Sequence, residues 1–237
     1  MDMDRNMKAE RSMSHSDKYS EPPKLLGKLF KWLRVFFVIY LVGEVSIGLG
    51  LSLIYNSGSY MFGPDLPFTL GDGIYEIGGL IMLLGFIGSV IIFSIFSYRA
   101  TKNLHKFGVK YFELSPGWSV GWYFIPIANL WKPYGYMTDI WSSSQPEDAK
   151  SWEMPKTMPI WWVCWVISNI TSNISFRMGL KSGYMDAYAH DVPLYKTSLY
   201  FEAASSVTGI IAALCILSIL KKITYLQDTR AQVDVFD

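Results

Sequence analysis

Four apolar runs divide the chain: Val35 to Tyr55, Ile74 to Ser97, Ile160 to Phe176 and Ser198 to Leu220. Each is close to the roughly 20 apolar residues that a helix needs to cross a bilayer. A fifth run, Trp118 to Trp131, is too short for that. Pro126 and Pro133 each remove a backbone donor from it. Carbonyls freed in lipid need other partners, so this stretch reads as a broken or re-entrant helix held among true spans. The pattern predicts an all-α, polytopic integral membrane bundle of about four spanning helices plus that Pro-broken segment.

The polar ends and connections complete the outline. Residues 1–23 are polar and without periodicity, and read as a disordered tail. Residues 24–225 form the helical membrane domain, and 226–237 read as a short polar tail after Lys221 and Lys222 stop the last span. Lys24 to Arg34 is a basic amphipathic lead-in, suited to anionic headgroups or to anchoring the first span on the positive side. Tyr98 to Glu113 carries Arg99, Lys102, Lys106 and Lys110 at helical spacing and extends the second span into water.

Composition supports this outline. Hydrophobic residues make up 51% and charged residues 17%, against about a quarter charged in soluble domains. The net charge of +1 gives no footing for a nucleic-acid partner. The 21 Lys and Arg residues also fix an orientation. With four spans, only Arg177, Lys181 and Lys196 fall on the far side, and the rest share a side with both ends of the chain. The positive-inside bias then puts both termini in the cytoplasm of a multi-pass protein of the cell (inner) membrane.

Candidate chemistry is sparse. Glu44 and Glu202 lie within apolar runs, where an acid is expensive and marks a site unless a neighbouring helix satisfies it. Glu44, Gly48 and Ser52 share one face, Gly78, Gly79, Gly85 and Gly88 line the second span, and Ser205, Gly209 and Ala213 line the last. Small faces of this kind let helices approach closely. Ser168, Ser172 and Ser175 form a polar line suited to interhelical hydrogen bonds. Cys164 and Cys215 sit in spans and read as free thiols. No Cys/His cluster calls for a metal, and no mid-span His calls for a haem. Asn169 and Asn173 match the glycosylation pattern by chance, given their depth.

The densest signal is SPGWSVGWYFIPIANLWKP, from Ser115 to Pro133. On one helix, Trp118, Trp122, Ile125 and Asn129 would share a face, with Trp131, Asp139 and Trp141 closing the segment. One reading is an aromatic belt around a kinked helix, with the Asn129 amide satisfying a freed carbonyl. The other is a small-molecule or lipid site at the break. Together with Arg99 and Asn103 upstream and Trp161-Trp162 downstream, this run resembles the signature of a bacterial membrane family known as domain of unknown function 4328, over roughly Gly73 to Tyr225. The resemblance implies a multi-span membrane protein and assigns no catalytic residue.

The leading functional reading is therefore a non-enzymatic protein of the lipid bilayer that binds a lipid, a membrane protein partner or a second copy of itself. The alternative is a small transporter or channel with its site around Pro126, Asn129 and Pro133. A membrane enzyme would need paired acids or a His/Asp set at one depth. No cofactor is implied.

Overall fold

The structure is a computed structural model, and it describes residues 22–57, 69–109, 112–146, 153–182 and 192–233. Every regular element among them is helical: α1 (Gly27–Ser57), α2 (Leu70–Lys106), a single turn α3 (Trp118–Gly121), α4 (Lys132–Ser143), α5 (Thr157–Lys181) and α6 (Val192–Val233). Three are long and apolar enough to cross a membrane: α1, α2 and α6. Residues 1–21 of the expected tail, residues 58–68 between the first two apolar runs and residues 183–191 between the last two lie outside the described residues.

The described residues divide into two compact units. One, the four-helix unit, comprises Trp32–Ile91 and Pro155–Ile219. The other, the signature unit, comprises the described residues up to Lys31, Ile92–Met154 and those from Leu220 onward.

In the four-helix unit, α1 and α2 run antiparallel through glycine contacts. A Cβ on Gly50 would come within 2.6 Å of the Tyr75 backbone, and one on Gly78 within 2.8 Å of Ser46. Gly43 abuts the backbone of Met82, and Gly85 that of Tyr40. Seven residues along α1, from Gly43 to Gly50, match seven residues back along α2, from Met82 to Tyr75. The expected Glu44–Gly48–Ser52 face is not the packing face, because Gly48 and Ser52 are exposed. Gly79 likewise meets nothing. The contact lies one residue round, where Gly43 and Gly50 recur at a heptad spacing.

Helices α5 and α6 meet through serines. Ser168 Oγ donates to the Ser205 carbonyl (3.1 Å), Ser205 Oγ donates to the Ser168 carbonyl (3.0 Å), and Ser175 Oγ donates to that of Ser198 (2.9 Å). Gly209 and Ala213 are buried on the same side of α6, as the small-residue face predicts. Asn169 is exposed and its amide returns to its own helix, at Trp165 O. A capping pair opens α2: Thr69 N donates to the Asp72 carboxylate and Asp72 N to Thr69 Oγ1.

Two expectations fail at helix ends. The second-span extension stops at Lys106 rather than running to Glu113, because Gly108 takes φ +63° and Val109 N bonds back to Leu104 O. A left-handed glycine closing the last carbonyls is a standard helix stop. Conversely, α6 does not stop at Lys221 and Lys222 but continues to Val233. Leu220, Ile223, Gln227 and Ala231 are all buried there at helical spacing, so most of the presumed polar tail is part of the folded domain.

Candidate functional site

The signature segment is broken, as its prolines predict. After α3 come a 3-10 turn over Trp122–Phe124, extended backbone at Ile125, and a second 3-10 turn over Ala128–Leu130. Pro133 then opens α4, where a missing donor costs nothing. The single face of Trp118, Trp122, Ile125 and Asn129 therefore does not form. What forms instead is a stack: the Trp118 and Trp122 rings lie 4.4 Å apart, with Lys132 Nζ 5.3 Å from the Trp122 ring. Trp131 is exposed, and Pro126 lies on the surface. Asp139 faces outward, and partial loss of solvation pushes its carboxyl above the usual range.

The expected role of Asn129 is not the one its side chain plays. Its Oδ1 is buried without a hydrogen-bond partner, as are Trp141 Nε1 and Ser97 Oγ. Asn129 is tied instead by its backbone, through N–H to Ile125 O at 2.8 Å.

The amide that does bridge elements is Asn103, almost fully buried on α2. Its Oδ1 accepts from Lys24 N (3.0 Å), and its Nδ2 donates to Lys24 O (2.9 Å) and Gln227 Oε1 (3.3 Å). Gln227 Nε2 in turn donates to Ala100 O (3.3 Å) and Ser144 Oγ (3.0 Å). Next to it, Asp228 accepts from Leu26 N (2.7 Å) and Gly27 N (2.9 Å), capping the start of α1 with a carboxylate from α6. Arg230 donates to Phe107 O and lies over the Phe107 ring. Arg99, expected beside Asn103, is half-buried and does not join this network. The two amides spend their polar atoms on backbone groups, on each other and on the Ser144 hydroxyl.

The two acids of the apolar runs do converge. Glu44 from α1 and Glu202 from α6 line one cavity of about 310 Å³ inside the four-helix unit. Glu202 accepts from the Tyr75 hydroxyl at 2.9 Å. Glu44 is buried, with the Tyr40 hydroxyl nearby. Ser172, Ser175 and Ser198 add polar atoms, while Met82, Phe176 and Leu199 supply apolar wall. Among the described residues, no Lys, Arg or His lines it. Asn129, Pro126 and Pro133 are not among its lining residues. The sequence signalled both acids. Sequence reasoning missed Tyr40, although its place four residues before Glu44, on the same helix face, was a signal that could have found it. Nothing local pointed to Tyr75.

Cys164 and Cys215 are free. No group of three or more potential metal ligands occurs among the described residues. No curated protein and no solved structure matches the chain. A family model described as "Domain of unknown function (DUF4328)" matches residues 67–225, which takes in α2, the whole signature, α5 and most of α6. By that match over most of its length, the chain belongs to this family of unknown function.

Proposed function

We propose that the protein is a non-enzymatic, multi-span membrane protein that binds a small amphipathic cation inside its helix bundle. The observation that carries this reading is the meeting of Glu44 and Glu202 in one cavity with apolar walls and, among the described residues, no lining cation. Acids inside a membrane domain are retained against a large desolvation cost, which favours a use for them. A cationic head between the carboxylates and an apolar body against Phe176 and Leu199 would fit such walls.

The topology in this reading has four spans, α1, α2, α5 and α6, and a non-spanning signature, with both termini in the cytoplasm. Helix α5 is less apolar than the other three. Its 25 residues are long enough to cross at about 1.5 Å each, and its serines are spent on α6 rather than on lipid. An even number of spans keeps Lys221, Lys222 and Arg230 on the basic side. Labelling a Gln145→Cys variant from outside the cell tests the topology; modification there would overturn it.

Binding is tested by titrating tetraphenylphosphonium into the purified protein in lipid nanodiscs. The parent binds, and Glu202→Gln binds about tenfold more weakly, a loss of about 1.4 kcal/mol. If the parent does not bind the probe, or both Glu44→Gln and Glu202→Gln bind like the parent, the reading is wrong. A transporter remains the second reading, favoured by the same acids. It predicts proton-linked movement of that probe into proteoliposomes, where a binding protein alone would give none.

A further inference from the structure

We infer that the signature segment is an interfacial wedge, whose tip from Phe124 to Trp131 is seated among the lipids of the leaflet on the Arg99 side of α2. This rests on the non-spanning reading of the segment and names what covers its surface.

Helix α2 serves as a depth ruler. The segment starts level with His105, whose Nε2 pairs with Leu114 O at 2.7 Å. It descends to Tyr123, whose ring meets Phe93 edge-on at 5.4 Å. It returns along α4 to Ser144, which shares the Gln227 amide with Ala100. Phe93 lies six residues before Arg99, so the low point is about 9 Å beneath the level of that charge. That is the depth of the glycerol backbone and upper acyl chains rather than of the bilayer centre.

At this low point the chain exposes large apolar side chains. Phe124 is 67% exposed, Ile127 71%, Leu130 51% and Trp131 54%. The opposite side of the same stretch, Ser119, Ala128 and Pro133, is buried. Two 3-10 turns and an extended residue leave backbone polar groups that hydrocarbon would not satisfy. Water-rich headgroups satisfy them, so an interfacial seat accommodates both the apolar side chains and the irregular backbone. Exposed Lys132 follows the tip at once and complements lipid phosphate.

Nitroxide labels at positions 124, 127 and 130 test this, each introduced singly as Phe124→Cys, Ile127→Cys or Leu130→Cys after Cys164→Ala and Cys215→Ala. The full chain is reconstituted in vesicles of phosphatidylethanolamine and phosphatidylglycerol. A label at Glu113→Cys gives the aqueous reference. The inference expects oxygen collisions to exceed collisions with a water-soluble nickel chelate at all three tip positions, the reverse of the reference. Higher nickel accessibility at the tip would mean water covers it, and low accessibility to both would mean protein does; either overturns the wedge. External labelling of Gln145→Cys separates this failure from failure of the topology, and failed cation binding leaves the wedge untouched.

Discussion

The two compact units solve the same packing problem by opposite means. In the four-helix unit, α1 and α2 meet through missing side chains: Gly43, Gly50, Gly78 and Gly85 bring backbone against backbone. In the signature unit, the amides of Asn103 and Gln227 and the carboxylate of Asp228 reach across 79 to 202 residues of sequence to hold other elements. The difference follows from solvent. Lipid tails give apolar helices no reason to associate, so close van der Waals contact and a few serine bonds must do it. Helix ends instead present unsatisfied donors and acceptors, and fixed polar groups can claim them.

The largest effect should come from filling a glycine contact. Gly43→Leu would drive a side chain into the backbone of Met82, which cannot yield as a flexible side chain would. We expect a loss of about 3 kcal/mol or more, read as failure to recover a monodisperse protein in detergent. Gly48→Leu, on the exposed face of the same helix, should leave recovery and melting unchanged. Equal damage at both positions would erase the distinction between the faces.

The next effect tests the amides against one another. Asn103→Leu strands the Lys24 backbone and Gln227, each unpaired buried group costing about 1–3 kcal/mol. Asn129→Leu removes an oxygen that has no hydrogen-bond partner and keeps the backbone bond to Ile125. Thermal melts of the solubilised variants should therefore rank Asn103→Leu well below Asn129→Leu. The opposite ranking would restore the signature asparagine as the structural one.

The smallest effect concerns the cap. Asp228→Ala leaves Leu26 and Gly27 N–H groups without their carboxylate, at about 1 kcal/mol. Hydrogen exchange should speed at those two amides while the α1–α2 glycine contact stays protected. Uniform acceleration along α1 would mean the cap supports the whole helix.

Most of the fold was legible because apolar runs of membrane length have few other uses. The break at Pro126 was legible too, since a missing donor is a local property. The pairing of Ser168 with Ser205 could be anticipated as a type of contact from the serine line on α5, though not as a specific pair. Asn103 stands out in the helical extension of the second span, four residues after Arg99, and in the resemblance, whereas Gln227 and Asp228 fall in a stretch that looks like a polar tail. Their roles depend on partners far away in sequence, which no local pattern records. The spacing of Leu220, Ile223, Gln227 and Ala231 continues the helical period beyond Lys222 and is the local signal for the extension of α6. Glu44 and Glu202 were visible as anomalies, whereas their meeting depends on how the helices pair.

The clasp between Leu26 and Asp228 also has a bearing on how the chain is made. The donor leaves the ribosome about two hundred residues before its acceptor, and contacts that distant form late. The start of α1 must wait, uncapped, while every later helix is synthesised. A nascent chain that terminates early, before Gln227 and Asp228, would present the same apolar helices with an open beginning. The last turns of α6 thus close the beginning of α1 only after the helices between them have been made.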